Sequence, residues 1–105
     1  MTRQGNRIDD TVLFKLADFF KVFGDSTRVR ILHALMQKER SVNELTSVLS
    51  MTQPAVSQQL RILKTNHLVK SRREGQSLIY SPDDSHVEKI LKIGLEHIFE
   101  KGGRL

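Results

Sequence analysis

Two helix starts lie close together in this chain, and they constrain its fold more than any other feature. Ser41 and Glu44 form a capping-box pattern, in which a hydroxyl and a carboxylate three residues apart satisfy each other's backbone amides. Val42, Leu45, Val48 and Leu49 then fall on one helical face. Thr52 is a second N-cap, with Pro54 in the first turn behind it, where proline costs no intrahelical hydrogen bond. Only Ser50-Met51-Thr52 separates the two helices. A short helix, a three-residue turn and a second helix with small polar residues at its start make a helix-turn-helix arrangement.

The second helix carries two different faces. At about 100° per residue from Val56, Leu60 and Leu63 lie within about 40° of it and form the buried stripe. Ser57, Gln58, Arg61 and Lys64 gather about 80–200° around, on the exposed side. Gln59 flanks the core side. Hydroxyl, amide and guanidinium groups can bond base edges and phosphates. Thr52 and Gln53 occupy the N-terminal tip, where free backbone amides favour a phosphate.

Charge distribution supports the same partner. From Leu45 to Arg73 there is no Asp or Glu, whereas Arg61, Lys64, Lys70, Arg72 and Arg73 bring five positive charges. The formal net charge of +5 favours a polyanion. Val69 to Arg73 and Ser77 to Ser81 read as two short strands around Gly75-Gln76, and Pro82 ends the second. The hairpin places the basic arm Lys70-Ser71-Arg72-Arg73 directly after the reading helix, within reach of phosphate or minor groove. Glu74 is the one dissenting charge at the tip, expected to face solvent or pair with an arginine.

Elsewhere the apolar spacing is helical. Val12, Leu13, Leu16, Phe19, Phe20 and Phe23 predict a first helix stopping at Gly24. Asp25 or Ser26 caps a second, with Val29, Ile31, Leu32, Leu35 and Met36 as its apolar residues. Asp83, Asp84 or Ser85 caps a last helix reaching about Glu100, with Val87, Ile90, Leu91, Ile98 and Phe99 on its apolar side. The expected order is therefore ααααββα, mainly α with a small hairpin. Residues 1–105 read as one winged-helix DNA-binding domain with dimerisation helices at both ends. A core this small gains from pairing with a second copy. No cysteine is present, which excludes disulfides and thiolate metal sites and makes a cytoplasmic location the expectation. No apolar run suits a membrane span or a signal peptide.

Three segments resemble those of a known family. They are Phe23 to Leu32 (FGDSTRVRIL), Thr52 to Leu63 (TQPAVSQQLRIL), and the hairpin residues Leu68-Val69-Lys70, Arg72 to Gly75 and Ile79-Tyr80. Together they are similar to the ArsR/SmtB family of bacterial metal-responsive winged-helix repressors, over roughly residues 12–100. The resemblance implies a homodimer on operator DNA, with metal lowering DNA affinity. Its thiolate sensing sites have no counterpart in a chain without cysteine.

The last helix holds two pairs of metal-ligand types, Asp84 with His86 and His97 with Glu100. His86 and His97 differ in direction by only about 20°, but lie about 16 Å apart along the axis. Zinc–nitrogen bonds are about 2 Å, so the two histidines of one chain cannot share an ion. An antiparallel partner helix brings the Asp84/His86 end of one chain to the His97/Glu100 end of the other, giving two equivalent four-ligand sites under the usual symmetry of homodimers. The pattern also matches the C-terminal-helix zinc site of the SmtB-like branch. Imidazole and carboxylate suit Zn(II), with Co(II) or Ni(II) as further candidates, and argue against soft ions. His33 and His67 read as structural.

The expected function is repression by a DNA-binding dimer that releases a palindromic operator when metal binds. His97, once ligated, has a candidate acceptor for its second nitrogen in a carbonyl near Asn66-His67. The alternative is a winged-helix repressor answering a non-metal signal, or none. An enzyme is disfavoured, because the chain has no Gly-rich phosphate loop and no cysteine nucleophile.

Overall fold

A computed structural model describes residues 8–102, and five helices and three strands account for nearly all of them. Helix α1 (Asp10–Phe23) opens where the Asp9 carboxylate accepts from the Val12 amide, and it stops at Gly24. Of the two candidates for the next cap, Asp25 takes the role: its Oδ2 accepts from the Arg28 amide at 3.0 Å at the start of α2 (Ser26–Gln37). Helix α3 (Val42–Leu49) carries the full capping box, with Glu44 accepting from the Ser41 amide at 2.8 Å and Ser41 Oγ accepting from the Glu44 amide at 3.2 Å. Helix α4 (Gln53–Thr65) follows, capped by Thr52, and then strands β2 (Val69–Glu74) and β3 (Ser77–Pro82) and helix α5 (Ser85–Glu100).

Two expectations change. The sheet has three strands, because Arg40–Ser41 form a short strand, here called β1, that pairs antiparallel with β3 through Arg40↔Tyr80 and Ser41↔Ile79. The order is β1-β3-β2. Two residues carry no period, so no alternation could announce the strand. Pro82 belongs to β3 as its last residue, opposite Val69, a terminal position where the missing N–H is tolerated.

The core lies between α2, α3 and α4 and is closed by the start of β2 and by α5. Ile31, Leu32, Leu35, Leu45, Val56, Leu60, Leu63, Leu68 and Val69 are its fully buried members, joined by Val87 and Leu91. The turn between α3 and α4 works because Ser50 adopts the left-handed conformation (φ 55°, ψ 47°), which reverses the chain within three residues. Arg30 bonds the Leu49 carbonyl at 3.1 Å and so satisfies one of the free carbonyls at the end of α3. The inward stripe of α4 is fixed by this packing.

The outer helices behave differently. Among the apolar residues of α1, only Val22 is buried, and Val12, Leu13, Phe14, Leu16 and Phe20 stay exposed. Ile93, Leu95, Ile98 and Phe99 of α5 are exposed too. The molecule is a plate of 46 × 36 × 20 Å with a radius of gyration of 15.7 Å. A compact domain of this length would have about 13 Å. No helix of the described residues is long and apolar enough to cross a membrane.

Candidate nucleic-acid interface and metal ligands

The polar side of α4 is open and partly pre-arranged. Gln53, Gln58, Arg61 and Lys64 are exposed and Ser57 is half-buried, while Val56, Leu60 and Leu63 point into the core. Thr52 Oγ1 accepts from the Ala55 amide at 3.3 Å, which holds the N-terminal tip in its capped form. Gln53 Nε2 donates to Ser57 Oγ at 2.9 Å, so two of the candidate contact residues already lock each other one turn apart. Lys64 Nζ donates to Ser71 Oγ at 2.8 Å and ties the end of α4 to β2. Gln59 lies where its position beside the core requires: half-buried, it accepts from Arg28 at 3.3 Å, and Arg28 Nε also reaches the Val22 carbonyl at 3.0 Å. One guanidinium thereby joins α1, α2 and α4.

The hairpin divides the basic arm. Successive strand residues face opposite sides of a sheet. Val69, Ser71 and Arg73 share the side on which Ser71 meets α4, whereas Lys70, Arg72 and Glu74 share the other. Arg73 is exposed near the tip on the α4 side. Arg72 is engaged by carboxylates: its two terminal nitrogens meet the two oxygens of Glu39, each at 2.9 Å, and one also meets Glu74 at 3.2 Å. These hydrogen bonds, Glu39 first and Glu74 second, hold the guanidinium above its ordinary pKa. Glu74 thus pairs with an arginine, as one of its two expected roles had it. Sequence reading did not find Glu39, which lies 33 residues from Arg72 and has no motif around it.

Turn chemistry supports the hairpin. Glu74 pairs with Ser77 across a two-residue loop, and Gly75 takes φ 64° at the first central position. Glycine there is the choice of a type II′ turn, whose twist matches that of the flanking strands.

On α5, Asp84 and His86 stand together. Asp84 is the N-cap, with Oδ1 accepting from the His86 amide at 2.9 Å, and its Oδ2 lies 3.3 Å from His86 Nδ1. The hydrogen bond with His86 is the main reason the Asp84 carboxyl is held below its ordinary pKa. Two ligands at about 2.0 Å from a tetrahedral zinc are separated by about 3.3 Å, so this pair already has the spacing of one edge of such a site. His97 and Glu100 lie exposed at the far end of the same helix. Among the described residues, no three groups of metal-binding type gather within one chain. The His97 ring makes no hydrogen bond among the described residues, and its link to Asn66-His67 is an expectation for the ligated ring. A different connection exists: the Asp83 amide bonds the Leu68 carbonyl at 3.0 Å, and the Leu68 amide bonds the Leu63 carbonyl at 2.9 Å. Two hydrogen bonds thus lead from the residue beside Asp84 to α4.

A helix-turn-helix followed directly by a basic hairpin defines a winged-helix regulator. A family described as "Bacterial regulatory protein, arsR family" matches residues 25–71. The chain is 37% identical over 86 residues to a transcriptional repressor SmtB homolog of Synechocystis, covering 82% of this chain and 65% of that protein. With a Staphylococcus aureus homolog of the cadmium resistance regulatory protein CadC it shares 32% over 83 residues, covering 78% of this chain and 69% of the relative. The solution structure of the homodimeric winged helix-turn-helix DNA-binding domain of Mb0332 from Mycobacterium bovis superposes with a TM-score of 0.82 at 26% identity, over 93% of each chain. This chain belongs to the ArsR family of bacterial regulatory proteins. The relatives named are regulators of transcription, and the enzyme class set aside on sequence grounds is excluded with them. The chain spans a little under two thirds of the Synechocystis protein's length.

Proposed function

We propose that this protein is a homodimeric repressor of transcription that holds a palindromic operator with α4 and the hairpin, and releases it when Zn(II) binds between the last helices of its two chains. The carrying observation is α4 itself: a capped helix whose apolar side is wholly buried and whose outer side offers Gln53, Ser57, Gln58, Arg61 and Lys64 without a single carboxylate. Thr52 and Gln53 present the helix tip to phosphate, the other four face the groove, and Arg73 adds a contact from the hairpin. Two-fold pairing of the chains places two such helices on successive half-sites. This work is done in the cytoplasm, where the DNA is.

The donor set supports the metal half of the reading. Asp84 and His86 of one chain, with the partner's His97 and the partner's Glu100, supply two imidazoles and two carboxylates. The 3.3 Å edge between Asp84 and His86 means that half of the site needs little rearrangement. An ion bound there supplies a fixed four-coordinate link between the chains. Co(II) and Ni(II) suit the same donors, and the Staphylococcus relative is named for cadmium resistance. Release of DNA then requires that the metal-holding arrangement of the two α5 helices differs from the DNA-holding one. The hydrogen bonds from the Asp83 amide to Leu68 and from the Leu68 amide to Leu63 offer one path by which a shift at the start of α5 reaches α4.

One titration tests both halves. Zn(II) added to the complex with promoter DNA, followed by fluorescence anisotropy, releases wild-type protein. The His86→Ala variant binds the DNA equally well and keeps it when zinc is added. Wild-type binding that is indifferent to zinc and to chelator would instead establish a repressor with a non-metal signal, or with none.

A further inference from the structure

Glu39 is outside every element assigned to DNA reading, yet it makes the one bidentate side-chain pair among the described residues. It stands in the connection between α2 and β1, immediately before Arg40. Arg72 is on β2, at the opposite edge of the sheet, since the strand order is β1-β3-β2. Register puts Arg72 opposite Ile79 and Ile79 opposite Ser41, so the guanidinium reaches across β3 to meet the carboxylate. Both oxygens of Glu39 lie at 2.9 Å from Arg72 nitrogens, the fork-to-fork geometry that fixes orientation as well as distance. Glu74, nearer the tip, closes on the same guanidinium from its own strand.

The connection before β1 is held firmly to the body. Arg40 Nε bonds the Ala34 carbonyl at 3.0 Å and its NH2 group bonds Gln37 at 3.3 Å, anchoring the segment to the end of α2. The far part of the hairpin has no such packing: residues from Arg72 to Leu78 are all exposed. The base of the hairpin is fixed by the buried Val69 and by pairing of β1 with Ile79 and Tyr80. Beyond that base, the side-chain ties to the body are Lys64 to Ser71 on one side and Arg72 to Glu39 on the other, and the angle of the far part depends on them.

We infer that Glu39 is a positioning residue for DNA binding, which holds the hairpin at its reading angle through Arg72, and that Arg72 serves this tether while Arg73 makes the phosphate contact. The inference rests on the hairpin being part of the DNA-reading surface. It changes the role given to Arg72, whose charge is already matched by two carboxylates.

A charge swap separates the two roles when made in a Glu74→Gln background, which removes the carboxylate that would repel an acidic side chain at position 72. Glu39→Arg with Arg72→Glu then keeps that background's net charge and the tether but removes any contact between a cation at position 72 and phosphate. Glu39→Gln loosens the hairpin, with amide exchange over residues 70–81 several-fold faster, and weakens operator binding several-fold. The double swap restores both to near the level of its background. Arg73→Ala lowers the slope of log affinity against log salt by about one, whereas the double swap leaves it unchanged. The inference is overturned if the swap protects the hairpin but loses DNA binding, or if Glu39→Gln leaves exchange unaltered. Failure of the wild type to bind DNA would sink the proposed function instead. The exchange comparison needs no DNA and judges the tether either way.

Discussion

Glu44 shows how one side chain ties stability to pH. Its carboxylate accepts from the Ser41 amide, and this hydrogen bond is the chief reason its pKa is held below the ordinary 4.5. A carboxyl whose folded pKa is depressed stabilises the fold fully above its unfolded value, and that contribution is lost as pH falls through the folded one. Glu44→Gln keeps the capping geometry without the charge. The urea midpoints of wild type and Glu44→Gln are therefore expected to differ at pH 7 and to converge in acid, below the ordinary value of 4.5. A gap that stays constant across this range would contradict the assignment. Local patterns of this kind are legible because both partners lie within one turn. Arg72 is the contrasting case. Two adjacent arginines look alike in sequence, and only the strand's alternation and a distant Glu39 separate their roles.

At the scale of elements, α4 was readable because its cap, its first-turn proline and its apolar stripe all indicate the same helix. The wheel placed Val56, Leu60 and Leu63 inside, and they are fully buried. Strand β1 was not readable, since its two residues form a strand only through pairing with β3, a long-range contact with no local signature. The hairpin turn lies between these cases: the glycine was visible, and its geometry gives a measurable cost. A Cβ at position 75 would meet nothing within 4 Å, so Gly75→Ala is opposed only by the φ of 64°. About 1 kcal/mol of destabilisation is expected in urea unfolding. Full stability in Gly75→Ala would mean that the turn has relaxed to another form.

The whole molecule is thinner than its length requires, and the surplus surface is apolar. Ile93, Ile98 and Phe99 on α5, with Phe14 and Phe20 on α1, are exposed in the single chain. The helical periodicity of both helices was legible, but what covers them was not, because amphipathic spacing reads the same for a core and for a partner. The proposed ligand pairs on α5 share this limit: one helix holds them about 16 Å apart, so in the proposed site a second chain brings them together. Ile98→Glu is expected to shift sedimentation from dimer to monomer and to abolish zinc-dependent release. If pairing covers this face as proposed, the melting temperature of the wild type rises with protein concentration, whereas that of Ile98→Glu does not. On the proposed dimer, the uncovered faces of α1 and α5 make copy number a second input. In a cell that makes few molecules, a chain this poorly covered would be lost to proteolysis as well as to dissociation, so the operator would respond to the supply of the regulator as well as to its signal.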